Sequence, residues 1–343
     1  MNAYAIEIVR HGRIRRRRRW AAVTAALILL TLALCSAMLM LGNTIYPVRD
    51  VIAVLMGEEV KGAEFAVKTV RLPRMLAGLF AGFSFGAAGY VFQTMLRNPL
   101  ANPNVIGITS GSSAAAVFCI IVLSSGRSAT FAASVVAGLM TALLLYALAR
   151  GRSFSIGRMV LVGIGIQAMS NSFISYLMLI GGEHQIPAAV RWLTGSLNGV
   201  KLADMPVLVF ACLILTPVMA MLSRALSTLE LGEQAAASLG VPTDRVRVTL
   251  VVSAVVLSAI ATAITGPIAS VAFLSGPIAS RLAGIGRSNL IPAGLVGASL
   301  VLAADLTGQF AFSAKFPAGI VTALIGAPYL LYLLVRMNRR GEF

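Results

Sequence analysis

Charge is what this sequence has least of. Only 12% of its 343 residues are Asp, Glu, Lys or Arg, against roughly a quarter in soluble domains. The remainder is 58% hydrophobic with a mean hydropathy of +0.88, which excludes an ordinary soluble domain. Cysteine is scarce as well: Cys35, Cys119 and Cys212 stand singly inside apolar runs, without the spacing of a disulfide framework or a metal site. The two histidines, His11 and His184, are far apart and have no carboxylate cluster near them in sequence, so no histidine metal centre is expected. The dipeptide Gly-Lys never occurs, which removes the phosphate-cradling P-loop. HExxH is missing too, and no Gly-x-Ser-x-Gly stands in the strand-to-helix context a nucleophile needs. Intramembrane charge is nearly absent, where a proton- or ion-coupled carrier is expected to show more. The energy for any transport is therefore expected from another polypeptide.

What the chain does have is long apolar runs. A bilayer core takes about 20 mostly apolar residues per helix, and such runs occur at 20–42, 72–95, 104–124, 130–149, 159–180, 205–222, 247–265, 268–283, 291–307 and 317–336. They predict an all-α membrane protein, a polytopic bundle of about ten transmembrane helices. The expected division is a basic N-terminal segment, 1–19, followed by a single transmembrane domain, 20–343. The net charge of +16 follows from arginines crowding inner loops under the positive-inside rule, and no nucleic acid partner is expected. Lys61, Lys68, Lys201 and Lys315 all fall on the other side, so both termini are expected to be cytoplasmic. RIRRRRRW precedes an apolar run too long for a signal peptide and reads as the anchored start of the first span, with the lipid bilayer around it.

The stretch from Val70 to Gly111 carries the most information. Arg71 and Arg74 bracket Pro73, which suits the first turn of a helix. Either they snorkel to the headgroups or they receive an acidic partner. Gly78, Gly82 and Gly86 form a small-residue stripe for close helix packing. NPLANPN then stops the helix, and its polar groups need protein or water rather than lipid.

Further on, Gln167, Asn171 and Ser175 recur at helical spacing in one span. They either hydrogen-bond a neighbouring helix or line a polar path. The longest inner break, 223–248, brackets a short helical segment between Gly232 and Gly240, bearing Glu233, Ala236 and Leu239, a surface suited to receiving another protein. GPIAS occurs twice, at Gly266 and Gly276, predicting a tight outer turn and a kink.

In combination, RLPR, the LRNPLA run, WLTGSLNG from Trp192, LGEQAAASLG and PAGIVTALIGAP resemble the iron-siderophore and cobalamin permease family of binding-protein-dependent ABC importers. The resemblance implies a homo- or heterodimeric permease in the bacterial cytoplasmic (inner) membrane. It also implies two cytoplasmic ATPase subunits that use ATP and Mg, an extracytoplasmic substrate-binding protein, and no cofactor held by this chain. On the matching positions it implies binding-protein docking at Arg71 and Arg74, gates at Asn98, Pro99 and Leu100 and at Ser155, Ile156 and Gly157, and ATPase coupling through Gly232, Glu233, Ala236, Leu239 and Gly240. Gln167, Asn171 and Ser175 become candidate walls of the translocation path.

The chain departs from the family pattern at ASVAFLSGP around Ser275, Gly276 and Pro277. It also lacks a third docking arginine near Gly308 and Gln309, and has Lys315 where a glutamate is common. The first departure resembles the ferric-siderophore branch and favours a heterodimer with a second, similar permease, and the weakened docking set is compatible with that, since a partner could supply the missing contact. Haem or cobalamin import, and an ion-coupled secondary carrier, are the alternatives.

Overall fold

A computed structural model describes residues 3–99, 101, 107–149, 156–284 and 286–340. Two of the expected gate residues, Leu100 and Ser155, and the side chain of Ile156 lie outside the described residues. The described chain contains helices and no strand: α1 (Ala3–Met40), α2 (Val48–Met56), a π-helical turn (Phe65–Arg71) running into α3 (Leu72–Met95), α4 (Ile108–Ile121), α5 (Arg127–Ala149) and α6 (Ile156–Ile180). These are followed by α7 (Gln185–Leu193), α8 (Met205–Met221), α9 (Ser223–Leu229), α10 (Glu233–Ser238), α11 (Thr243–Thr265), α12 (Ala269–Ala283), α13 (Leu290–Phe310) and α14 (Ala318–Arg340).

Eight of the helical segments are long and apolar enough to cross a membrane. The other two expected spans became α4, of 14 residues, and α12, of 15 residues. At about 1.5 Å per residue each is shorter than a bilayer core of about 30 Å. Both pack inside the bundle, α4 against α5 and α6, and α12 against α3 and α13, where neighbouring helices shield their ends. The basic N-terminal segment is the first half of α1 itself, since one 38-residue helix runs through the boundary at residue 19.

The centre of the bundle is α3, packed on α11, α12 and α13. The glycine stripe makes this possible. A Cβ on Gly82 would sit 2.7 Å from the Gly297 carbonyl oxygen and 2.8 Å from Ala298 Cα. One on Gly86 would collide with the Ala293 carbonyl, one on Gly89 with the Ala272 carbonyl, and Gly78 faces Leu302. Backbone touches backbone along this seam, the geometry small residues permit in lipid. By contrast α5 and α6 are buried along little of their length.

The expected kink sites are compensated locally. Pro277 lies inside α12 and has no N–H to give the carbonyl four residues earlier. That carbonyl belongs to Phe273, and the side-chain amide of Gln93 on α3 donates to it at 2.8 Å. The first GPIAS becomes the turn between α11 and α12, with Gly266 at φ 72°. Between the first two spans, α2 buries Val51 and Val54 and leaves Val48, Ile52 and Leu55 exposed.

Gly86→Ala should lower stability by about 1–3 kcal/mol, the cost of forcing an extra group into a packed core. Gly165→Ala on α6, where an added Cβ meets nothing within 4 Å, should cost nothing. Thermal unfolding of both variants in the same detergent checks the contrast.

Candidate functional site

The features singled out in the sequence gather at the two ends of the bundle and along one open helix. At the outer end Arg71 and Arg74 both line a recess of about 320 Å³, together with Tyr46, Asn198, Gln309 and Lys315. They are not equivalent. Arg71 is buried, and its guanidinium donates to the carbonyls of Leu39 (2.9 Å), Met40 (2.7 Å) and Thr44 (2.6 Å) while lying 4.9 Å from the centre of the Tyr46 ring. The last carbonyls of a helix have no intrahelical donors, so Arg71 supplies them for α1. Arg74 forms a two-pronged ion pair with Asp305 of α13, Nε to Oδ2 at 2.7 Å and Nη2 to Oδ1 at 2.8 Å. Gln309 donates to the same carboxylate at 2.7 Å. Lys315, in the α13–α14 connection, is exposed.

At the inner end α3 closes with a turn that satisfies its own carbonyls. The Asn98 backbone N–H reaches the Gln93 carbonyl at 3.0 Å, and Arg97 adopts φ 48°, the left-handed position that glycine usually fills in such a cap. The backbone there turns the Arg97 side chain toward the next inner element, where it donates to the Leu229 carbonyl at 3.0 Å. The polypeptide leading to Asn98 and Pro99 is thus tied to the end of α9, directly before α10.

The α10 segment stands between Gly232 (φ 119°) and Gly240 (φ 81°), so both glycines adopt backbone conformations that side chains disfavour. Ala236 is fully buried and seats the helix on the core that contains Leu226 and Leu229. Glu233, Leu239 and the neighbouring Leu231 are exposed. Glu233 also accepts from Arg247 of α11 at 3.0 Å. Burial pushes the Glu230 carboxyl above the ordinary carboxylate range, opposed by the nearby Arg97 charge.

Along α6, Asn171 and Ser175 are exposed and Gln167 is half-buried, so among the described residues no other helix covers most of the polar stripe. Gly157, at the start of the same helix, has no atom near the space a Cβ would fill.

A profile of the FecCD transport family matches residues 27–336. The chain belongs to that family. It is 35% identical to the ferric enterobactin transport system permease protein FepG of Escherichia coli (strain K12), over 85% of this chain and 88% of the relative. It is 32% identical to the ferric enterobactin transport system permease protein FepD of Escherichia coli (strain K12), over 94% of this chain and 97% of the relative. A solved structure described as an inward-facing metal-chelate type ABC transporter covers 92% of this chain and 99% of its own, with a TM-score of 0.79 at 28% identity. The chain is a multi-pass membrane protein.

Within this FecCD protein the structure adds residues that pattern reading passed over. Asp305 is the only acidic residue in the 291–307 run, a signal in itself, but its arginine lies 231 positions away. Arg97 and Arg247 read as ordinary inner-loop charges until α10 is seen between them. Gln93 reads as one more polar residue in a span until it is found opposite Pro277.

Asp305→Asn should cost about 3 kcal/mol of stability, the low end for leaving one member of a buried pair unpaired. Removing both charges, Arg74→Met with Asp305→Leu, should recover part of it, and a double-mutant cycle in thermal unfolding reads the coupling. Glu230 has a folded pKa above its unfolded one, so its contribution is fully present below the unfolded value and is lost as pH rises through the folded one. Glu230→Gln should therefore unfold at a higher temperature than the unsubstituted protein at neutral pH, with the gap closing as pH falls to about 4.

Proposed function

We propose that the chain is the membrane permease subunit of an ATP-driven importer of ferric siderophores in the bacterial inner membrane. The observation that carries this reading is whole-length similarity to two permease proteins of one ferric enterobactin system. Two different permeases for a single system also favour a heterodimer, in which a second, similar subunit faces this one. The open polar stripe of Gln167, Asn171 and Ser175 on α6 suits a translocation path lined jointly with that subunit. The structure supports this by leaving the stripe without a helix to cover it.

On the inner face, α10 is the proposed seat for a cytoplasmic ATPase. Leu231 and Leu239 offer exposed apolar contacts, Glu233 a charge, and Ala236 the anchor beneath. Arg247 then carries displacement of α10 to α11, and Arg97 ties the Asn98–Pro99 gate to the end of α9 directly before α10, each by a hydrogen bond of 3.0 Å. ATP and Mg bind the partner, not this chain.

On the outer face, the recess around Arg71 and Arg74 is the proposed receiving site for a substrate-binding protein. Both guanidiniums already satisfy internal partners, so their contribution is a positive field and a fixed shape. Lys315 is the cation in that recess free to meet an incoming carboxylate, and it takes the place of the missing third arginine.

Co-purification in mild detergent should bring down a Walker-motif ATPase and a second permease; recovery of neither would sink the reading. Lys315→Glu should lower affinity for the binding protein by roughly 10- to 150-fold and slow ferric-chelate uptake, one charge-assisted contact being worth about 1.5–3 kcal/mol. Thermal stability should be unchanged, since Lys315 is exposed.

A further inference from the structure

The arginine cluster at the start of α1 does more in this structure than mark the inner side of the membrane. Two adjoining cavities open where α1 passes the α12–α13 turn and α9. One, of about 420 Å³, is lined by Trp20, Ser223, Arg224, Ser227, Arg287 and Ser288. The other, of about 370 Å³, is lined by Arg13, Arg16, Arg17 and Arg287. Gly286 and Arg287 form the wall they share. Among the described residues no carboxylate lines either cavity. The ion pairs among the described residues engage Lys68, Arg74, Arg127 and Arg247, none of which belongs to this group.

The site is held in place rather than merely crowded. Arg19 donates to the Arg281 carbonyl at 2.7 Å and to the Leu282 carbonyl at 2.9 Å, clamping α1 to the end of α12. Trp20 Nε1 donates to the Ser288 carbonyl at 3.1 Å, and the Arg287 guanidinium lies 5.1 Å from the centre of the Trp20 ring. Gly286, at φ 107°, leaves space that the Arg16 side chain approaches, its Cδ and Nη1 each 3.6 Å from where a Cβ would stand. Five guanidiniums are thereby collected on two adjoining hollows with no ion-paired carboxylate among the described residues. Like charges so gathered repel unless an anion is shared among them.

We propose that these hollows bind phosphate, and that its source is the headgroup of an acidic phospholipid of the inner leaflet. Guanidinium forks match phosphate oxygens, and basic pockets beside transmembrane helices on the cytoplasmic side suit acidic headgroups. The depth agrees with lipid: Trp20 stands where the apolar run begins, the level at which tryptophan marks the membrane interface. Beyond it Ile28, Leu29 and Leu32 are exposed along α1, an apolar strip for acyl chains. Two hollows sharing one arginine accommodate a headgroup with two phosphates better than one with a single phosphate.

The test uses the full chain in neutral detergent micelles doped equally with phosphatidylglycerol, cardiolipin and phosphatidylcholine, with the retained lipid counted by mass spectrometry. The unsubstituted chain should retain acidic lipid, cardiolipin most. Arg224→Gln with Arg287→Gln should lower that retention roughly 30-fold, from about 1 kcal/mol per basic residue. Arg336→Gln with Arg339→Gln, which removes equal charge elsewhere on the inner side, should change it less than threefold.

Equal loss in both pairs would overturn the site in favour of diffuse surface charge. If the first pair unfolds at a lower temperature, Arg224→Lys with Arg287→Lys becomes the readout; retained lipid is expected, and its loss would overturn the proposal. Displacement of the lipid by millimolar inorganic phosphate would support the phosphate chemistry but overturn the assignment of its source to lipid.

Discussion

The backbone contact of α3 with α13 and α12 is the constraint on which the rest of this molecule depends. In lipid there is little hydrophobic gain from bringing two helices together, so association rests on close packing and on polar groups finding each other. The seam of Gly78, Gly82, Gly86 and Gly89 against Ala293, Gly297 and Ala272 brings α3 near enough for its side chains to reach across. Arg74 meets Asp305 at the outer end of the seam, and Gln93 meets Phe273 toward the inner end. Move the two helices apart by the width of a methyl group, and both reach empty space.

A second theme is the use of arginine to finish other helices. Arg71 caps the end of α1, Arg19 the end of α12 and Arg97 the end of α9, each by donating to backbone carbonyls of the last turn. A guanidinium has several donors and keeps its charge, so it suits the negative pole of a helix. The result is a framework in which successive elements are tied near the membrane surfaces, while the apolar middle is left to packing. The inner ties run from α3 through Arg97 to α9 and from α10 through Arg247 to α11, which makes the coupling segment an extension of the core and not a loose loop.

The broad fold was legible because hydropathy is a local property. Each of the ten apolar runs overlaps a helix among the described residues, and only α4 and α12, of 14 and 15 residues, fall short of a bilayer crossing. The helix at Gln185–Leu193 was not, being nine residues long and containing Pro187. The site was legible in part. Motifs marked Arg71, Arg74, Asn98 and Glu233, but a motif does not show where a guanidinium points. The partners of Arg74 and Gln93 lie 231 and 180 residues away, and nothing local in the sequence encodes a pairing at that distance.

The bond from Gln93 to Phe273 has a consequence for how this chain can change over time. Pro277 creates an orphan carbonyl and Gln93 answers it, so neither residue is under constraint alone. A relative that replaces the proline with an ordinary residue restores the missing N–H and frees the glutamine to drift; one that loses the glutamine first carries an unsatisfied carbonyl in its interior. The two positions are therefore physically coupled across two helices that no short motif spans.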